Sequence, residues 1–150
     1  MRSQSGKICL SAVIAVFLLM VPATAHPNLN GTWRLVPTQS DFAGQAVVQT
    51  GTVTINSRQH HLYISRDFNY DGGTQSFSYS FSIDGAENST IRNGKAFKSK
   101  SSWDGDVLKV KTTDNGVTTM ERYTLGPDNT LRVLVDREGR QPVTLVFERR

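Results

Sequence analysis

Thiols, histidines and long apolar stretches are all scarce in this chain of 150 residues, and each scarcity removes a class of function. The one cysteine, Cys9, lies at the start of an N-terminal apolar run, so the chain beyond that run has no thiol. Disulfides, thiol catalysis and thiolate metal sites are thereby excluded from it. Only His26, His60 and His61 could offer an imidazole, and no HExxH zinc pattern exists. A Gly-x-Ser-x-Gly nucleophile elbow and a phosphate-binding glycine loop are missing too, and no nucleophile–base pair is visible, so the expectation is that the protein is not an enzyme. Asp104 and Asp106 flank a turn, where aspartate serves the backbone, while carboxylates such as Glu121 and Asp106, which share a face, could meet only in space. The longest apolar run, Ile8 to Val21, has 14 residues, short of the ~20 that a membrane-spanning helix requires. No stretch after residue 30 repeats with a helical period, and there is no linker, internal repeat or low-complexity segment.

The N-terminal run has its own meaning. Arg2 and Lys7 precede it, Pro22 breaks it, and Ala23-Thr24-Ala25 supplies small residues for a signal peptidase. Residues 1–25 are therefore expected to be a cleaved signal peptide, with export to the periplasm or the medium; an uncleaved anchor would need a longer span. Cys9 opens the run instead of following it, which argues against a lipid-anchored cysteine. Residues 26–150 then form one domain, large enough to bury a core without metal or disulfide. At 37% hydrophobic and 20% charged residues, disorder, collagen and coiled coil are ruled out. Removing Arg2 and Lys7 leaves 15 basic against 13 acidic side chains, net +2, which with export makes nucleic acid an unsuitable partner.

What the mature chain does have is alternation. Strand-like runs occupy 31–36, 47–56, 60–68, 73–83, 95–103, 106–114, 117–125, 130–136 and 142–149, separated by turn residues. Residues 37–46 form a connection with room for one helical turn. Asp71-Gly72, Asp104-Gly105 and Asn115-Gly116 tolerate positive φ in two-residue hairpins. The expected fold is all-β: an antiparallel up-and-down meander closed into a barrel of about eight to nine strands.

Period two assigns faces. Phe77, Tyr79, Phe81 and Ile83 alternate with serines, and a turn at Asp71-Gly72 sets the first three opposite Arg66, Ile64 and Leu62. A turn at Asp104-Gly105 sets Trp103 opposite Asp106, Ser101 opposite Leu108 and Ser99 opposite Val110. The Asn115-Gly116 turn pairs Val110 with Glu121 and Leu108 with Tyr123. A three-residue Pro127-Asp128-Asn129 loop brings Leu125, Tyr123 and Glu121 opposite Leu131, Val133 and Val135; one residue more would turn the valines outward. Val143, Leu145, Phe147 and Arg149 share the inner face of the last strand. The candidate ligand site is this interior, with Phe77, Tyr79, Phe81, Trp103 and Tyr123 as apolar wall and Arg66 and Glu121 orienting a polar group. The alternative is a filled barrel in which Arg66 and Glu121 pair with each other or reach solvent at a rim. No cofactor is expected.

Asn30-Gly31-Thr32-Trp33-Arg34-Leu35 resembles the Gly-x-Trp opening of the calycins, the lipocalin and fatty-acid-binding-protein superfamily. Trp103-Asp104-Gly105 before a strand resembles the late hairpin of fatty-acid-binding proteins, and Val146-Phe147-Glu148-Arg149 is similar to their final strand. The opening Gly31 to Phe42 is also similar to that of small secreted bacterial lipocalin-like proteins. The resemblance implies a lipocalin-like barrel in which Arg149 packs across Trp33, and a small hydrophobic or amphipathic ligand bound non-covalently by a monomer. Two features depart from fatty-acid-binding proteins. Residues 37–46 are too few for their helix-turn-helix lid, and Leu145 and Phe147 stand where they carry the Arg-x-Tyr pair that holds a carboxylate.

Two other readings rest on other residues. Lys98, Lys100, Lys109, Lys111, Arg122 and Arg132 form a basic stripe on the outer face, with Lys100 expected opposite Lys109 and Lys98 opposite Lys111. Such a face suits an anionic envelope polymer or a lipid headgroup. Cleavage after Ala25 would make His26 the N-terminus, whose amine and imidazole could hold Cu(II) if one further histidine arrived. Pro27 removes the next backbone donor, so no metal ligand is assigned.

Overall fold

The computed structural model describes residues 25–92 and 94–150, so the expected signal segment lies, but for Ala25, outside the described residues. Ten strands follow one another: β1 (Gly31–Leu35), β2 (Thr50–Arg58), β3 (His61–Tyr70), β4 (Gly73–Ser82), β5 (Asn88–Arg92), β6 (Lys95–Asp104), β7 (Val107–Asp114), β8 (Val117–Leu125), β9 (Leu131–Arg137) and β10 (Val143–Arg149). One 3₁₀ turn, Pro37–Gln39, interrupts the connection from β1 to β2. The strands form a single antiparallel sheet in the order β4-β3-β2-β1-β10-β9-β8-β7-β6-β5. Pairing of the first strand with the last rolls this meander into a barrel, as the alternation implied.

Two features depart from the expected barrel. The tenth strand is β5, whose Asn-Ser-Thr-Ile-Arg run contains a single apolar residue, Ile91, and that residue is 74% exposed. It shows no alternation because it is held by its ladder to β6, with Asn88 opposite Ser99 and Thr90 opposite Phe97. The barrel also closes without a hydrogen-bonded ladder between β4 and β5, which are the two ends of the sheet. Isolated contacts bridge this seam instead. Ser101 Oγ donates to the Ser82 carbonyl at 2.7 Å, Gly85 N–H donates to the Ser101 carbonyl at 2.9 Å, and Tyr79 stacks on Phe97 at 5.7 Å.

The registers of β3 with β4, β7 with β8 and β8 with β9 are those that the turn residues implied. Between β6 and β7 the register differs: Trp103 faces Leu108, Ser101 faces Val110 and Ser99 faces Thr112. Gly105 (φ +57°) is the first central residue of the turn and Asp106 the second, so Asp104 stays in the strand opposite Val107. Glycine in the first central position is the other common hairpin pattern. The carboxylate of Asp104 then accepts the ammonium of Lys109. Because the partners move by two residues, every side chain keeps its face.

The two ends of the barrel are unlike. At one end the segment before β1 is drawn underneath: Trp33 Nε1 donates to the Leu29 carbonyl at 2.9 Å, and Arg149 Nη1 donates to the Asn30 carbonyl at 2.7 Å. The Arg149 guanidinium lies over the Trp33 ring at 4.3 Å, as the calycin resemblance implied. Gly31 makes this crossing possible, since its φ is +136° and a Cβ there would sit 2.8 Å from Arg149 Nη1. Trp33, Phe147, Leu131, Tyr123, Phe81, Ile64, Leu62 and Leu108 are buried in the core of this half. At the other end, residues 37–49 take the place of a lid. Asp41 and Thr144 exchange backbone hydrogen bonds, and Gln45 Nε2 donates to the Gln141 carbonyl at 2.8 Å.

Candidate functional site

Above this buried core, the open end holds a cavity of about 300 Å³. Phe68 and Tyr70 of β3, Phe77 and Tyr79 of β4, Phe97 of β6 and Phe42 of the strap supply aromatic wall. Val48, Val135, Val143 and Leu145 complete its apolar part, and Arg66 and Glu121 lie among them. Gly51 of β2 makes room for the Phe68 ring, because a Cβ would sit 2.7 Å from its Cδ1. Tyr79 is the centre of the aromatic row, stacked on Phe77 at 6.3 Å and on Phe81 and Phe97 at 5.7 Å.

The polar floor is one closed cluster. Arg66 Nη1 donates to Glu121 Oε1 at 2.6 Å, Arg66 Nη2 donates to Glu121 Oε2 and to the Tyr123 hydroxyl, and that hydroxyl donates to Glu121 Oε2 at 2.9 Å. The two ionic side chains are 11% and 9% exposed, so the pair is nearly withdrawn from water. Burial alone would lower the Arg66 pKa, but the charge and hydrogen bonds of Glu121, with the nearby hydroxyls, raise it above its ordinary value. Burial pushes the Tyr123 phenol well above its ordinary range, against the pull of Arg66. Burial also raises Tyr70, with Arg66 opposing it. Burial keeps the Tyr123 phenol protonated, and the polar groups of the floor are bonded to one another.

The structure sorts the seven expected site residues into three places. Arg66, Phe77, Tyr79 and Glu121 line the cavity, with Phe77 38% exposed at its mouth. Phe81 and Tyr123 are buried beneath it, and Tyr123 reaches the site only through its hydroxyl contacts. Trp103 is at the opposite end of the barrel, because β6 descends from Phe97 at the cavity to Trp103 at the closed end. Phe68, Tyr70 and Phe97 were legible and not read. The first two continue the inward series Leu62, Ile64, Arg66, and Phe97 continues Ser99, Ser101, Trp103 at period two. Asp106, paired with Glu121 in the sequence reading, is exposed in the closed-end turn, four residues and roughly 13 Å along β7 from the partner of Glu121.

Trp103 belongs to a second cleft, of about 450 Å³, under the segment before β1. His26 stacks on it at 4.5 Å with the two rings nearly parallel, and His26 Nδ1 lies 3.0 Å from the Gly105 carbonyl. His60 lines the same cleft. Among the described residues no group of three or more His, Cys, Asp or Glu is placed to hold a metal ion.

The basic stripe has a different layout from the one expected, through the same two-residue correction. Lys100 faces Lys111, Lys109 faces Arg122 and Lys98 faces Thr113. Lys98 pairs with Glu87 at 3.0 Å and Lys109 with Asp104. Among the described residues no carboxylate lies within ion-pair distance of Lys100, Lys111, Arg122 or Arg132.

No protein-family model matches the chain, and no curated protein matches it in sequence. Solved structures do match it. A secretary abundant heat soluble protein from Ramazzottius varieornatus superposes with a TM-score of 0.60 at 14% identity, covering 81% of this chain and 95% of that one. Human cRBP IV gives 0.59 at 20% identity, over 83% and 99% of the two chains. Fatty-acid-binding protein 1 of Echinococcus granulosus gives 0.55 at 11% identity, over 81% and 96%. Together with the first-strand tryptophan under a last-strand arginine, these likenesses show that the chain has the calycin fold, as a barrel of the fatty-acid-binding-protein type.

Proposed function

We propose that this protein is an exported, monomeric carrier that binds a small apolar or amphipathic molecule non-covalently in the open-end cavity. The observation that carries this reading is the open-end cavity itself, about 300 Å³ behind aromatic walls with the buried Arg66–Glu121 pair among its lining. That volume is at the lower end of the range for small-molecule sites. The buried Arg66–Glu121 pair gives the cavity a polar end, so one amphipathic orientation is favoured over the other. Chemistry is not part of the proposal, since the cluster at the floor is satisfied internally. One of the similar barrels is by name a fatty-acid-binding protein, which makes lipid-like molecules the first class to try. Export rests on the segment ending at Ala25.

Native mass spectrometry of protein purified from its own cell envelope tests both parts. The expected result is a chain beginning at His26 that carries a small organic molecule. A bare mass that does not shift with a panel of alcohols, esters and acids would refute the carrier reading. An intact residue 1–25 would refute cleavage.

A second reading is favoured by the outer face. Lys100 and Lys111 lie directly opposite each other, beside Arg122, with no carboxylate partner among the described residues. This like-charged pair costs stability that a polyanion laid across β6, β7 and β8 would recover. Binding to an anionic polymer that falls steeply with added salt is expected, and binding indifferent to salt would refute it.

A further inference from the structure

The cavity carries a charge argument about its ligand, and it rests on the carrier reading above. We propose that the site selects uncharged amphipathic molecules over carboxylates, and that Glu121 is the residue that sets this preference. The guanidinium at the floor is the group that would attract an acid head, but both of its terminal nitrogens already donate to Glu121. One positive and one negative charge, both nearly withdrawn from water, leave the floor with no net charge. A carboxylate entering beside Glu121 would place two anions on a single guanidinium in a poorly hydrated site. Either it displaces Glu121, leaving a buried carboxylate unpaired, or one of the two acids takes up a proton.

Other charges do not alter this outcome. Arg137 and Arg140 line the cavity as exposed side chains, as does Asp114, so their attraction for an acid is screened by water and salt. The last-strand positions Leu145 and Phe147 are buried and apolar, and offer no second cation. A hydroxyl, ester or amide head meets no such obstacle. It can accept or donate at the edge of the Arg66–Glu121–Tyr123 cluster without adding charge.

The test is calorimetric titration, at pH 8 and high salt, of the mature protein with decanol, methyl decanoate and decanoate, which share one tail. The wild type is expected to bind the two neutral ligands at least about tenfold more tightly than the acid. Glu121→Gln keeps an oxygen acceptor for Arg66 and removes the opposing charge, so it should gain about tenfold or more in affinity for decanoate relative to decanol. A wild type that binds decanoate as tightly as decanol in high salt would overturn the proposal, as would a folded Glu121→Gln protein with unchanged preference. If Glu121→Gln does not fold, the wild-type comparison of acid with methyl ester still decides, because those two ligands differ in charge and not in tail. Failure of every ligand to bind would instead remove the carrier reading, and the proposal with it.

Discussion

Replacing Arg66 by leucine would test whether the floor of the cavity is as dry as its geometry implies. The wild-type pair is 11% and 9% exposed, and Glu121 accepts from both Arg66 nitrogens and from Tyr123. Arg66→Leu would leave the carboxylate with one remaining donor, the Tyr123 hydroxyl at 2.9 Å. An uncompensated buried charge of this kind costs about 3–5 kcal/mol, a large share of the ~5–15 kcal/mol that holds a domain together. For a domain of this size that corresponds to a fall in melting temperature of roughly 10–20 °C. The double replacement Arg66→Leu with Glu121→Leu removes both charges together, so it should restore most of that loss or exceed wild-type stability. Equilibrium unfolding in urea, followed by the fluorescence of the fully buried Trp33, measures both. A single replacement that costs less than about 1 kcal/mol would refute the reasoning, since that is how a water-exposed pair behaves.

Three further outcomes follow from other contacts. Gly31→Ala should destabilise by about 1–3 kcal/mol and displace Arg149 from Trp33, because the residue must hold φ +136° and its new Cβ would meet Arg149 Nη1; near-UV circular dichroism and urea unfolding would check it. The Asp104, Asp84 and Asp128 carboxyls are held below their ordinary 3.8, by Lys109, by the Ala86 backbone N–H with Ser82, and by the Thr130 hydroxyl and N–H respectively. The stability they contribute is present above the unfolded value and is lost as pH falls through their lowered midpoints, which carboxyl-carbon NMR titration would locate. Tyr123 shifts the other way, since burial raises its phenol. Its contribution is intact below the ordinary tyrosine range and is lost at higher pH, so its tyrosinate absorbance should rise only as the barrel unfolds.

The comparison of sequence with structure divides along physical lines. Alternation is a local property, and wherever one face was continuous and apolar, as in Phe77-Tyr79-Phe81, the face, the partner strand and the register were all legible. Asn115-Gly116 fixed its hairpin because both residues take positive φ, 50° and 82°. Asp104-Gly105 did not, because one glycine can occupy either central position of a two-residue turn. The choice fell to the one that leaves Asp104 beside Lys109. Strand β5 escaped notice because its single apolar residue points away from the core, so burial contributes nothing to its pattern.

Within the site, the inward direction of Arg66, Phe77, Tyr79, Phe81, Trp103, Glu121 and Tyr123 was a matter of parity along each strand, and the sequence alone determined it. It also determined the all-β meander, which depends on residue type and on spacing two apart, whereas the closing contact of Arg149 with Trp33 was implied by the calycin resemblance. Height within the barrel is another matter. Which inward residues lie at the cavity and which beneath it depends on the stagger of ten strands around a closed wall, a sum of registers that no single hairpin contains. Only the tertiary structure could therefore carry Trp103 to the far end, bring Phe97 up beside Tyr79, and join Arg66 to Glu121 across 55 residues of chain.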